Sequence, residues 1–175
     1  MAKVVWARLD PGKELIIRKS TRHQHIIGKY GEYLVCNLLS RTGFEVAIVD
    51  HTGIDIIAYN PKTKQRLGIT VKSRTRDVGQ EKDAVQLFKS QNDLNKLKNA
   101  CKAFGCIPCI AVYVETANGG DLFLTSLDHY RNKYARPDAD RKIDSWKMAP
   151  RHMKSYMNDR EISHIRYNFE LNPVE

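Results

Sequence analysis

Asp55, Thr70 and Lys72 are the residues of this chain whose types and spacing point most directly to chemistry. They lie in GIDIIAYNPKTKQRLGITVKSR, residues 53–74, where two apolar runs rich in β-branched residues flank the turn NPKTKQR. Asn-Pro followed by several cations favours a chain reversal, and β-branched runs favour strands, so the segment reads as a hairpin. Side chains alternate along a strand. Ile69 and Val71 therefore point one way and Thr70 and Lys72 the other, while Ile54 and Ile56 are expected to share a face opposite Asp55 and Ile57. Pairing through the turn brings Asp55 beside Thr70 and Lys72. With Glu32 on a preceding helix, this set suits metal-assisted hydrolysis. Magnesium takes hard oxygen ligands and keeps several waters. It lowers the pKa of bound water, while a lysine orients that water or offsets developing charge. The plainer reading is a solvated strand carboxylate, an edge lysine that discourages aggregation, and a helix glutamate on a wet face.

The elements that must hold these residues follow from periodicity. Tyr30, Leu34 and Leu38, with Tyr33, Val35 and Leu39 one step round, give a helix over residues 27–41, with Gly43 as its stop. Strands are expected at 44–50, 54–59 and 67–73. Polar residues over 74–83 suggest a loop, and 83–105 supports one or two helices ending at Gly105. IPCIAVYVE at 107–115 reads as a buried strand, as does DLFLTSL after the turn NGG. The whole is an α/β (α+β layered) chain, with helices flanking a central mixed sheet. We expect a single domain over 1–175: an arm at 1–26 with a short strand near 15–17, a core at 27–128, and a basic, irregular extension at 129–175 carrying short helices and a final edge strand near 165–171.

Composition points to the partner. The chain has 175 residues, 42% hydrophobic and 28% charged, with a formal net charge of +9. Such an excess attracts a polyanion, because bound phosphates release counterions. Nucleic acid is the expected partner, with an anionic membrane surface as the other reading of the same charge. No stretch approaches the roughly 18 apolar residues of a membrane helix. The first 25 residues contain no apolar segment of the signal-peptide kind, so a cytoplasmic protein without a membrane partner is expected. Arg74, Arg76, Lys89 and Gln91 follow Lys72 closely and are the candidate nucleic-acid contacts.

Cys36, Cys101, Cys106 and Cys109 would be reduced in that compartment. The last three read C-x4-C-x2-C, one iron–sulfur spacing, and a zinc site is the related alternative. No Gly-rich loop is present to wrap a cluster, and cysteine is a common small core residue, so packing is the favoured reading over iron–sulfur or zinc. His23 and His25, two apart, are favoured as solvated residues over ligands.

The order G-x-x-G-E in a helix, then G-I-D-I-I-A, then a strand ending in x-x-K resembles the PD-(D/E)XK nuclease superfamily, in its Holliday-junction-resolvase and restriction-endonuclease-like branch. The matching residues are Gly28, Gly31 and Glu32, then Gly53 to Ala58, then Ile69 to Lys72. With the following helix and strand, the resemblance spans roughly 27–115. It implies a restriction-endonuclease-like core and a deoxyribonuclease that hydrolyses DNA phosphodiester bonds with Mg2+ or Mn2+. It implies Asp55 as the central metal-binding carboxylate and Lys72 as the lysine that positions the attacking water. Glu32 would lie one layer back, binding metal directly or through water. It also implies a departure: an acidic residue or Gln usually stands two positions before the lysine, and here that position is Thr70. A catalytically silent module that binds DNA or RNA through its basic face is therefore the alternative expectation. A homodimer is compatible with two scissile phosphates needing two sites.

Overall fold

The computed structural model describes residues 19–77, 84–135 and 144–169. The strand expected near 15–17 lies outside them, as do residues 78–83 of the expected polar loop, 136–143 and the last residues of the chain. The element order is α1 (His23–Arg41), β1 (Glu45–His51), β2 (Ile54–Tyr59), β3 (Arg66–Thr75), β4 (Ala84–Gln86), α2 (Gln91–Phe104), β5 (Ile107–Thr116), β6 (Gly119–Ser126), α3 (Leu127–Lys133), β7 (Ser145–Lys147), α4 (Pro150–Met157) and β8 (Ser163–Asn168). Six strands form one mixed sheet in the order β1-β2-β3-β5-β6-β8, and β4 pairs with β7 separately. Only β3 and β5 run parallel within the large sheet; the other neighbours are antiparallel. Helices flank it, in a restriction-endonuclease-like architecture. No helix of the described residues is long and apolar enough to cross a membrane.

Two apolar clusters cover the two faces of the sheet. On one, α1 buries Ile27, Leu34, Val35, Leu38 and Leu39 against Ile56, Ala58, Ile69 and Tyr113. Each large aliphatic side chain buried this way contributes about 1.5–3 kcal/mol. On the other, α2, α3 and α4 supply Leu97, Leu127 and Met153, with Ile110, Val112 and Phe123 from the strands. α2 is well bounded. Ser90 caps its start by accepting from the Asp93 N–H at 3.3 Å, and Gly105 ends it in the left-handed conformation.

Two expectations need correction. Ile54 and Ile56 do not share a face: Ile54 packs in the α2-side cluster and Ile56 in the α1-side cluster. The register of β1 against β2 shifts between Ile48 and His51, and such an irregularity increases local twist, which turns Ile54 out of the alternation. Ala84–Gln86 forms a strand where a helical stretch is expected, because it finds a partner in Ser145–Lys147. The stretch from 129 onward carries the expected short helices and, in β8, the expected final edge strand. Trp146, Met148, Met153 and Tyr156 enter the α2-side core, and β8 completes the edge of the main sheet.

Candidate active site

Asp55, Thr70 and Lys72 are brought together where β2 and β3 lie side by side. The hairpin pairs Ile56 with Ile69 and Ile57 with Gly68, a register that carries Asp55 to Thr70 at the next step. Thr70 Oγ1 donates to Asp55 Oδ2 at 3.2 Å, and the Val71 N–H donates to the same oxygen at 2.7 Å. Lys72 Nζ donates to Thr70 Oγ1 at 3.3 Å. A hydroxyl has one proton and two lone pairs, so Thr70 can serve both neighbours at once. Thr70 itself is 5% exposed, while Asp55 and Lys72 are half-buried.

The three residues line an open cavity of about 400 Å³. Its near wall adds Thr52 and Gly53 from the β1–β2 turn. Its far wall comes from the segment leading into α2, with Gln86, Lys89, Asp93 and Lys96 over a base of Leu87 and Phe88. Asp93 is committed locally: Lys96 Nζ donates to Oδ1 at 3.1 Å and the Lys89 N–H to Oδ2 at 3.2 Å. The Lys96 bond comes first among the influences that hold the Asp93 carboxyl below its ordinary range. With Asp93 and Lys96 offsetting one another, Asp55 faces Lys72 and Lys89, and the cavity favours an anion.

Glu32 does not line this cavity. It is 14% exposed on α1 and accepts from Lys29 Nζ at 2.9 and 3.3 Å. That bond, followed by the charge of Glu32, raises the Lys29 ammonium pKa, and the charges of Asp55 and Asp50 add to it. Lys29 thus stands in the fields of Glu32 and Asp55 together.

The candidate nucleic-acid contacts divide. Lys89 lines the cavity. Gln91 opens α2 and donates to Asn95 Oδ1 at 3.0 Å, and Arg74 is exposed on β3. Arg76, expected as a surface cation, is 4% exposed and donates through Nη1 to the Met148 carbonyl. Its carbonyl partner lies just before α4, remote in sequence. Sequence reasoning missed Asp93, Gln86 and Lys29. The signal around Asp93 was Ser-x-x-Asp, which announces a helix start and not a site.

The cysteines divide between the faces. Cys101 and Cys106 pack with the α2-side cluster, Cys36 and Cys109 with the α1-side one. Burial pushes the Cys101 and Cys109 thiols up to about 12. Among the described residues no group of three or more His, Cys, Asp or Glu side chains is arranged to hold a metal ion.

The helix-flanked mixed sheet is a resolvase and restriction-endonuclease-like fold. Among solved structures, the chain is similar to Hjc from Archaeoglobus fulgidus, a Holliday junction resolvase from an archaeal hyperthermophile. The two superpose with a TM-score of 0.51 and 19% sequence identity, over 70% of this chain and 87% of that one. No protein-family model matches the sequence, and no curated protein matches it. The likeness is one of fold.

Proposed function

We propose that this protein is a divalent-metal-dependent endonuclease that hydrolyses DNA phosphodiester bonds at the Asp55 cavity. The observation that carries the reading is the convergence of Asp55 and Lys72 on one hydroxyl in an open cavity that favours an anion. Thr70 Oγ1 and the Val71 N–H both donate to Asp55 Oδ2, so among the described residues Oδ1 is the carboxylate oxygen left for an ion. One carboxylate suits magnesium, which keeps several waters and takes the remaining ligands from substrate phosphate. Asp55 would hold the ion, and Glu32 would reach it through water on releasing Lys29. Bound there, Mg2+ or Mn2+ would supply Lewis-acid polarisation of the phosphate and a more acidic water. Lys72 holds the attacking water in line and offsets the charge that develops on the phosphoryl oxygens. Lys89, on the far wall, neutralises a flanking phosphate. Water oxygen adds to phosphorus, the bond from phosphorus to the 3′-oxygen breaks, and a proton from water ends on that oxygen. The products are 5′-phosphate and 3′-hydroxyl ends. Cutting both strands would use two copies of the chain.

Thr70 favours a second reading. A neutral hydroxyl stands between the carboxylate and the ammonium, and it lowers the charge available to a cation. In that reading the cavity binds a nucleic-acid phosphate and does not cut. Incubating the protein with supercoiled, linear and branched DNA and Mn2+, beside Asp55→Ala and Lys72→Ala, separates the two. Cleavage lost in both variants supports the enzyme. Cleavage that survives both sinks the site, and binding without cleavage under every metal supports the silent module.

A further inference from the structure

A second cavity, of about 390 Å³, opens beyond the C-terminal end of β3. It lies on the same side of the sheet as the first, since its walls include Val114 and Met153 of the α2-side core. Thr70, Lys72 and Arg74 share that face of β3 by the period of two. Arg76 continues the row: its N–H donates to the Glu115 carbonyl at 2.9 Å, extending the β3–β5 ladder by a residue. Lys72 lines the first cavity and Arg76 the second. Four residue steps separate them, about 13 Å along the strand, a distance for linked phosphates and not for one free nucleotide.

The walls combine three chemistries. Lys154 and Arg166 bring positive charge, and Arg76 adds a guanidinium engaged by the Met148 carbonyl. The carboxylate that lines the cavity, Asp121, is engaged within the wall: it accepts from Arg166 Nε and Nη2 at 3.1 Å each, and His164 Nε2 lies 2.7 Å from Oδ1. With Arg166 and Asp121 offsetting one another, exposed Lys154 leaves the wall positive, so the cavity attracts an anion. Asn118 and Asn168 add amides that both donate and accept. Met153, Met157 and Val114 form an apolar, polarisable side suited to an aromatic ring. Arg76, held by the Met148 carbonyl and nearly fully buried, makes this a built floor and not a chance pair of surface lysines.

An anion, a hydrogen-bonding edge and a flat aromatic face are together the parts of a nucleotide. We propose that this cavity takes one unpaired nucleotide of a nucleic-acid strand whose backbone runs from the Asp55 cavity along the face of β3 that carries Lys72. The inference rests on the nucleic-acid reading of that first site and names its substrate class: DNA with unpaired nucleotides beside the phosphate held at Asp55. A base inside a duplex is stacked and paired, and drawing it into a cavity costs that stacking, so a single strand or a branch is favoured over continuous duplex.

The test uses the full chain and fluorescence anisotropy with a single-stranded oligodeoxynucleotide, its duplex and deoxyadenosine monophosphate as competitor. Lys154 is exposed, so Lys154→Glu and the milder Lys154→Gln change the cavity's charge with little risk to folding. Expected are tighter binding of the single strand than of the duplex, and competition by the mononucleotide. Lys154→Glu should weaken single-strand binding several-fold and lower the salt slope by about one, with Lys154→Gln between. Single-strand affinity and slope unchanged in Lys154→Glu would overturn the proposal, as would a mononucleotide that binds without competing. Absence of cleavage under every metal, with Lys154-dependent binding retained, overturns the enzyme reading and leaves this one standing. Asp55-dependent cleavage with binding indifferent to Lys154 overturns this one alone.

Discussion

Thr70 and Asp55 share a hydrogen bond across the β2–β3 hairpin, Oγ1 to Oδ2 at 3.2 Å, and the same hydroxyl accepts from Lys72 Nζ. A neutral side chain therefore spans the gap between the carboxylate and the ammonium. Thr70 borders the open cavity, which gives a longer side chain room to extend. Thr70→Glu should place a second carboxylate beside Asp55 and lower the Mg2+ concentration at half-maximal cleavage, on the order of tenfold. Thr70→Ala should remove the shared hydroxyl and cost about 1 kcal/mol of stability. Metal titrations of cleavage and denaturant melts check the two. Unchanged metal dependence in Thr70→Glu would mean that charge at this position does not limit the site.

Gly53 controls how closely α2 approaches that hairpin. Its φ is +108°, and a Cβ there would lie 2.6 Å from the Lys96 carbonyl carbon and oxygen and 2.8 Å from the Leu97 nitrogen. Those atoms are helix backbone and cannot swing aside. Gly53→Ala should therefore cost roughly 2–4 kcal/mol, from backbone strain and overpacking together. It should also displace Lys89 and Lys96 from the cavity wall. Cleavage measured well below the melting temperature should fall further than stability loss explains. Retained activity with lowered stability would confine Gly53 to packing.

The hairpin was legible in the sequence because a strand's alternation is local: Thr70, Lys72 and Asp55 need only their own neighbours and one turn to meet. Of the far wall, Lys89 was legible as a cation following Lys72, and the way α2 closes that wall was not. Asp93 and Lys96 reach it because Gly53 lets a helix backbone settle against the β1–β2 turn, a contact between segments some forty residues apart in sequence. Arg76 looked like its exposed neighbour Arg74, and what buries it is the carbonyl of Met148, seventy-two positions on. Ile54 escaped the period of two because a shifted register upstream turns it, and composition carries no sign of that shift. The pairing of β4 with β7 joins strands of three residues each, too short for periodicity to announce.

Gly31 and Ser73 form a testable pair where α1 crosses β3. A Cβ at Gly31 would fall on Ser73 Oγ, while the next atoms, Ser73 Cβ and Tyr113 Cβ, lie at 3.4 and 3.6 Å. Gly31→Ala alone should cost about 1–3 kcal/mol through overpacking. Ser73 Oγ is buried without a hydrogen-bond partner among the described residues, so removing it carries little penalty. Ser73→Ala should rescue Gly31→Ala, and the double variant gains helix propensity of about 1 kcal/mol over glycine. A double-mutant cycle by urea unfolding should show strong positive coupling and a double variant at least as stable as the parent. Additive effects would mean that α1 shifts to absorb the methyl group.

Asp159 ties α3 to the loop after α4, and its titration should be visible in stability. Its side chain is 6% exposed, and Oδ2 accepts from Lys133 Nζ at 2.8 Å and from the Tyr134 hydroxyl, with His129 Nε2 also at 2.8 Å. The other nitrogen of His129 lies 3.2 Å from Glu161 Oε2, so a carboxylate stands at each side of the ring. Burial alone would raise the Asp159 carboxyl. The bonds from Lys133, Tyr134, the Glu161 N–H and His129 outweigh it and hold the group well below its ordinary value of 3.8. A carboxyl depressed in the folded state binds its proton more readily when unfolded, so its contribution is complete above the unfolded pKa and fades as pH falls toward the folded one. Asp159→Asn should therefore lower unfolding free energy by roughly 2 kcal/mol at neutral pH. The gap to the parent should narrow only below 3.8 and nearly close in strong acid. Urea midpoints of both proteins across that range check it, since the remaining carboxylates cancel in the difference. A gap that stays constant through the acid range would mean that the carboxylate's shape, and not its charge, joins α3 to that loop.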